Sequence, residues 1–116
     1  MAFHVARARA DLSQNNDMLH MSHPRTQFFN DVSSDSIAQK FVEALEPCCY
    51  LYGQPVISSE EWRKAPLTYV VCEEDQAVPR ERQELMSQGM DVVGLALGHS
   101  PFVGHPESVA GVLSTL

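Results

Sequence analysis

Two residues of this 116-residue chain have the types and the placement needed to move a proton. The run LTYVVCEEDQAVP carries Asp75 into a turn, and DVVGLALGHSPF carries His99 into the next one. A carboxylate so placed can accept one imidazole N–H, fix the tautomer, and stabilise the imidazolium that forms when the other ring nitrogen takes a nucleophile's proton. Glu74 competes for the acid position, although Glu73 and Glu74 together read as a solvated rim. The third part of such a triad has no counterpart here. One recurrent setting for a nucleophilic serine is a GxSxG turn between strand and helix, and the sequence contains no GxSxG. Ser100 directly follows His99, and Phe102 stands where the second glycine would be.

The elements that must position the pair follow from apolar patterning. Residues 67–73 form a nearly continuous apolar run rich in Val and Tyr, which suits a strand buried on both faces of a parallel sheet. Pro79 fits the first position of a helix through RERQELMSQ, with Gly89 as its C-terminal cap. Residues 92–97 supply the next strand, and Pro106 opens a last helix with Val109, Val112, Leu113 and Leu116 on its apolar side. Upstream, SSDSIAQKFVEALEP sets Ile37, Phe41 and Leu45 on one helical stripe with Ala38 and Val42 beside them, Ser33, Ser34 and Asp35 as start signals and Pro47 as a stop. Residues 48–65 read as a connection with a short helical turn at 59–63.

The fold class is therefore α/β: helix-strand-helix-strand-helix around a parallel strand pair joined by a right-handed crossover. Two strands do not make a stable open sheet, so the unit reads as the end of a larger doubly wound one. Val70, Val71, Val93 and Leu95 then need cover from helices or another chain, and marginal stability or association through an exposed strand is expected. In open α/β sheets ligands bind outside the carboxyl ends of the strands, where Asp75 and His99 fall.

Composition narrows the partners. With 44% hydrophobic and 20% charged residues, the chain suits one globular domain. Only 8 basic residues against 15 acidic ones, a net charge of -7, argue against a nucleic-acid surface. Three cysteines, Cys48, Cys49 and Cys72, are an odd number without CxxC spacing, which suggests reduced thiols and a cytoplasmic location. Cys48 and Cys49 are expected as small apolar fillers in a connecting segment. Residues 1–26 read as an irregular leader, without the apolar run of a secretion signal or a membrane span. His99, His105 and Asp75 lack a recognised metal-ligand spacing, so no metal and no cofactor is expected.

PLTYVVCEEDQAVP followed by GHSPFVGHPESVAGVL resembles the carboxyl-terminal part of the α/β-hydrolase superfamily, nearest its methylesterase and hydroxynitrile lyase-like branch. QFFNDVSSDSIAQKFVEALEP is similar to the lid-region stretch bearing an aromatic-Asn-Asp motif in those proteins. The resemblance covers residues 27–116, with 27–65 as a lid-like segment and 66–116 as the acid- and histidine-bearing unit. It implies that Asp75 is the triad acid, that His99 is the general base, that Ser100, Pro101 and Phe102 shape the loop holding His99, and that Phe28, Phe29 and Phe41 contribute apolar lid surface. Trp62 and Pro66 lie just ahead of the acid-bearing strand. The implied activity is esterase-like hydrolysis of small, largely apolar esters or a related substrate of specialised metabolism. The family's oxyanion segment and nucleophile elbow have no match in this sequence, so the expected protein is truncated and lacks the nucleophile half. The alternatives are a non-catalytic truncated paralogue or interaction module, and a lyase-type member.

Overall fold

The computed structural model describes residues 12–15, 18–49 and 59–116. Strands β1 (Leu12–Asn15) and β2 (Met18–Met21) pair antiparallel, and after helices α1 (Pro24–Phe28) and α2 (Asp35–Glu43) the two-residue strand β3 (Cys48–Cys49) pairs with β2. A 3-10 turn, Glu60–Lys64, precedes β4 (Thr68–Cys72). Helix α3 (Arg80–Met86), β5 (Asp91–Leu95), α4 (Pro101–Gly104) and α5 (Pro106–Leu113) complete the chain.

β4 and β5 pair in parallel from Thr68↔Asp91 to Cys72↔Leu95. This register sets the two carboxyl ends side by side. The ladder runs on into the loops, because Glu73 N–H donates to the Leu95 carbonyl at 2.8 Å and Glu74 N–H to the Leu97 carbonyl at 3.1 Å. From α2 onward the expected helix-strand-helix-strand-helix order with a parallel pair is thus observed, with the short β3 and the 3-10 turn set between α2 and β4.

Several local expectations are revised. An antiparallel hairpin occupies residues 12–15 and 18–21, within the stretch read as an irregular leader. Backbone pairing orders it, although LSQN and MLHM show no strict alternation of apolar and polar residues. Cys48 and Cys49 lie in β3 rather than in a loop. Residues 1–11 of the leader and 50–58 of the connection lie outside the described residues. Pro79 is the N-cap of α3 rather than its first residue, and the helix ends at Met86 with Ser87 as C-cap. Gly89, at φ 82, instead serves the turn into β5, a left-handed conformation that costs glycine little.

α2 forms where expected. The Ser34 side chain accepts the Ile37 N–H, and Asp35 sits favourably in the first turn. Burial follows one edge of its apolar stripe: Ala38 is fully buried and Val42 packs against the core, while Ile37, Phe41 and Leu45 stay 43–45% exposed. The small Ala38 lets the helix approach the 29–34 loop closely. Phe29, Val32 and Ala38 form the buried cluster, with Phe28, Val42 and Val103 packed against it. Arg25 holds this loop by donating to the carbonyls of Phe29 and Val32 and to the Asp35 carboxylate.

The strand pair is covered unevenly. Val71 and Cys72 are buried, yet Val92 on β5 is 53% exposed, and Phe102 and Leu113 on the following helices are 64% exposed. Among the described residues no helix is long and apolar enough to cross a membrane.

Candidate active site

The acid turn is built by its own backbone. After β4 the chain folds back so that Asp75 N–H donates to the Cys72 carbonyl at 3.3 Å. Asp75 Oδ1 then accepts the N–H groups of Ala77 at 2.7 Å and Val78 at 2.9 Å, the side-chain turn for which Asp is favoured. The second oxygen faces the other loop. His99 Nδ1 lies 2.9 Å from Asp75 Oδ2 and 3.1 Å from Oδ1.

This division of labour has a chemical consequence. Asp75 is 5% exposed and His99 33% exposed, so the acid is enclosed while one edge of the imidazole remains reachable. With Nδ1 donating to the carboxylate, Nε2 has no partner among the described residues and is left as the proton acceptor. Phe28 stacks on the imidazole at 5.0 Å between ring centroids and 28° between planes. A cavity of about 250 Å³ opens beside the ring, lined by His99 with Val70, Leu95, Phe102, Val109 and Leu113.

Burial alone would raise the Asp75 carboxyl. The hydrogen bonds from His99, Val78 and Ala77, with the positive potential of the imidazole, outweigh it and hold the carboxyl below its ordinary 3.8. A depressed acid stabilises the fold above the unfolded-state value, and that contribution is lost as pH falls through the folded-state value. Thermal stability of the chain is therefore expected to drop on acidification below about pH 4. The drop should be smaller in Asp75→Asn, which has no charge to lose; equal acid limbs in the two melting profiles would contradict this assignment. Burial, and then the charge of Asp75, also push the Cys72 thiol up, so this buried free cysteine is a weak nucleophile.

The other residues singled out by sequence divide between site and periphery. Glu74 does not reach His99 through its carboxylate; its backbone carbonyl instead accepts Asn30 Nδ2 at 3.0 Å. Ser100 is buried as the N-cap of α4. Phe28 reaches the imidazole, whereas Phe29 belongs to the buried cluster and meets Phe41 at 5.8 Å. Trp62 is 43% exposed on the 3-10 turn with Arg63 over its ring. His105 caps α5, and its Nε2 lies 3.4 Å from Asp31 Oδ2.

Gln83 went unsingled in sequence, sitting among the good helix formers of RERQELMSQ. It is 3% exposed. Its Oε1 accepts the Cys72 N–H at 2.8 Å, and its Nε2 donates to the carbonyls of Cys72 and Val78, each at 2.8 Å. A side chain on α3 thus takes the place of a neighbouring strand at the end of β4 and ties down both ends of the acid turn. A mid-helix glutamine carries no pattern that announces this role. Asn30 and Asp31 were visible only as part of the aromatic-Asn-Asp resemblance, with no partner assigned.

Comparison with known proteins agrees with this architecture. Two structures titled as the pyrethroid hydrolase PytH, one of them with the ligand BIF, and a further PytH variant superpose on the chain with TM-scores of 0.64–0.69 at 14–19% identity. They cover 88–90% of this chain, which spans 43–45% of theirs. At that identity the likeness speaks for the fold. A search of curated proteins returns no match. A family model described as the alpha/beta hydrolase family matches residues 1–112, and with nearly the whole chain matched and the strand-end architecture in place, the chain belongs to the alpha/beta hydrolase family.

Proposed function

We propose that the chain supplies the acid–base half of a serine-type carboxylic-ester hydrolase, with the nucleophile contributed on a GxSxG turn from outside these 116 residues. The observation that carries this reading is the split carboxylate of Asp75: one oxygen is pinned by two backbone N–H groups and the other receives His99 Nδ1 at 2.9 Å. In the completed enzyme a serine hydroxyl attacks the ester carbonyl and passes its proton to His99 Nε2. The imidazolium, stabilised by Asp75, returns that proton to the departing alcohol, and water hydrolyses the acyl-serine by the same route in reverse.

The apolar lining and the modest cavity of about 250 Å³ favour small, largely apolar esters. The similarity to PytH, a pyrethroid hydrolase, supports a hydrolase reading of this fold. By the wording of its last two strand-loop segments we place the chain nearest the methylesterase and hydroxynitrile lyase-like branch, acting in the cytoplasm.

A second reading, as a pairing module, is favoured by one observation. The two-stranded sheet leaves Val92, Phe102 and Leu113 more than half exposed. A strand-bearing polypeptide laid against that sheet would cover them, and the nucleophile half would be such a polypeptide.

Assays with p-nitrophenyl butyrate test the proposal. Purified alone, the chain is expected to give no turnover above buffer. Co-expressed with a polypeptide encoded in frame upstream and carrying GxSxG, it is expected to turn over the ester, with the activity lost in His99→Ala. Turnover that survives His99→Ala would remove His99 from the mechanism.

A further inference from the structure

We propose that Asn30 and Asp31 form a positioning brace that sets the spacing of the acid and histidine loops; the proposal rests on the acid–histidine reading above. The two adjacent residues sit in the loop between α1 and α2, and each grips one loop at the residue just before its functional side chain. Asn30 Nδ2 donates to the carbonyl of Glu74, which precedes Asp75, at 3.0 Å. Asp31 Oδ2 accepts the N–H of Gly98, which precedes His99, at 2.8 Å. A carboxylate accepting a backbone N–H makes one of the stronger hydrogen bonds, and its geometry is correspondingly demanding.

The grip is rigid on both sides. Phe29 and Val32, which flank the Asn-Asp pair, are 5% and 4% exposed in the buried cluster. Arg25 fixes the carbonyls of the same two residues. Asp31 is only 12% exposed, and His105 at the start of α5 approaches its Oδ2 at 3.4 Å, so the brace also reaches the helix that follows the histidine loop.

The remaining oxygens show how closely the parts are fitted. Asn30 Oδ1 and Asp31 Oδ1 are buried with no hydrogen-bond donor among the described residues. Both press on Gly98, where an added Cβ would lie 2.2 Å from Asn30 Oδ1 and 2.7 Å from Asp31 Oδ1. Buried acceptors without donors are unfavourable, and here they accompany a close approach to the Gly98 backbone, where any Cβ would force the two side chains to shift. Phe28, one residue ahead of this cluster, stacks on His99. The 27–32 stretch therefore contacts both loops and the imidazole itself, and small displacements of a catalytic group cost rate steeply.

The test is nuclear magnetic resonance on the isotopically labelled full chain. The readouts are the downfield His99 Nδ1–H resonance that marks its bond to Asp75, and hydrogen exchange at the Gly98 amide, with the β4 and β5 amides as the control for folding. Asp31→Ala and Asn30→Ala are each expected to lose the His99 resonance, and Asp31→Ala to speed Gly98 exchange about tenfold, the loss of one hydrogen bond. Asp31→Asn, which keeps an oxygen for Gly98, is expected to retain both signals. If Asp31→Ala also loses β4 and β5 protection, Asn30→Ala and Asp31→Asn decide by the same criteria. A His99 resonance retained in the folded alanine variants overturns the brace, even where Gly98 exchange quickens. Its absence from the wild-type chain overturns the acid–histidine reading and the brace together.

Discussion

Replacing Asp75 by asparagine is expected to lower kcat of the nucleophile-completed hydrolase about 10⁴-fold, the loss that follows when the acid of such a triad is amidated. The geometry says why the fold would tolerate the change while the proposed chemistry would not. Asp75 Oδ1 accepts the Ala77 and Val78 N–H groups at 2.7 and 2.9 Å, and asparagine can keep both bonds by placing its carbonyl oxygen there. Its amide nitrogen then falls where Oδ2 stood, 2.9 Å from His99 Nδ1. Two donors cannot share that contact, so Nδ1 must become the acceptor and the ring proton must move to Nε2. A histidine already protonated at Nε2 cannot take the serine's proton. Long-range ¹H–¹⁵N correlations of the isolated chain should show the tautomer switch directly, and a variant that keeps full turnover with Nδ1 still protonated would dismantle the mechanism.

Gln83→Ala is expected to destabilise the chain by about 3 kcal/mol. Three hydrogen bonds are lost at once, two of them buried: the Cys72 N–H and the Val78 carbonyl lose Gln83, and the Cys72 carbonyl keeps only the Asp75 N–H at 3.3 Å. At this chain length such a loss lowers the melting temperature by about 10 °C. Gln83→Glu separates bond loss from volume loss. Its carboxylate can still accept the Cys72 N–H, but it faces two carbonyl oxygens that it can only repel. Burial and this repulsion raise the glutamic acid above its unfolded value, so the variant regains stability as pH falls toward about 4, when the protonated acid can donate to one carbonyl. The wild type gains nothing over that range and loses stability only below about pH 4, because the Asp75 carboxyl is held low. Melting curves of the three proteins against pH check this, and a Gln83→Ala melting point within a degree of wild type would show that the acid turn holds itself without α3.

Parts of the molecule could be read directly because their causes are local. The 67–73 run becomes β4 through its Val and Tyr content, and Ser34 caps α2 through a bond within its own turn. The α2 stripe shows the limit of such local causes. Periodicity locates an apolar face but not what covers it, and Ile37, Phe41 and Leu45 remain half-exposed while neighbouring Ala38 is buried. The hairpin of β1 and β2 likewise depends on backbone pairing between segments that lack a clear alternating pattern.

That Asp75 and His99 fall on neighbouring loops follows from sequence, since strand ends follow from hydrophobic runs and the register of a parallel pair sets successive ends side by side. The chain order of acid, crossover helix and histidine, and the lack of a GxSxG, are also properties of the sequence itself. Which oxygen of Asp75 faces which donor, the insertion of Gln83 into the end of β4, and the reach of Asn30 and Asp31 across 44 and 67 residues to the two loops were decided only by tertiary structure. Those bonds join segments far apart in the chain, and no local propensity encodes a contact whose partner is chosen by packing.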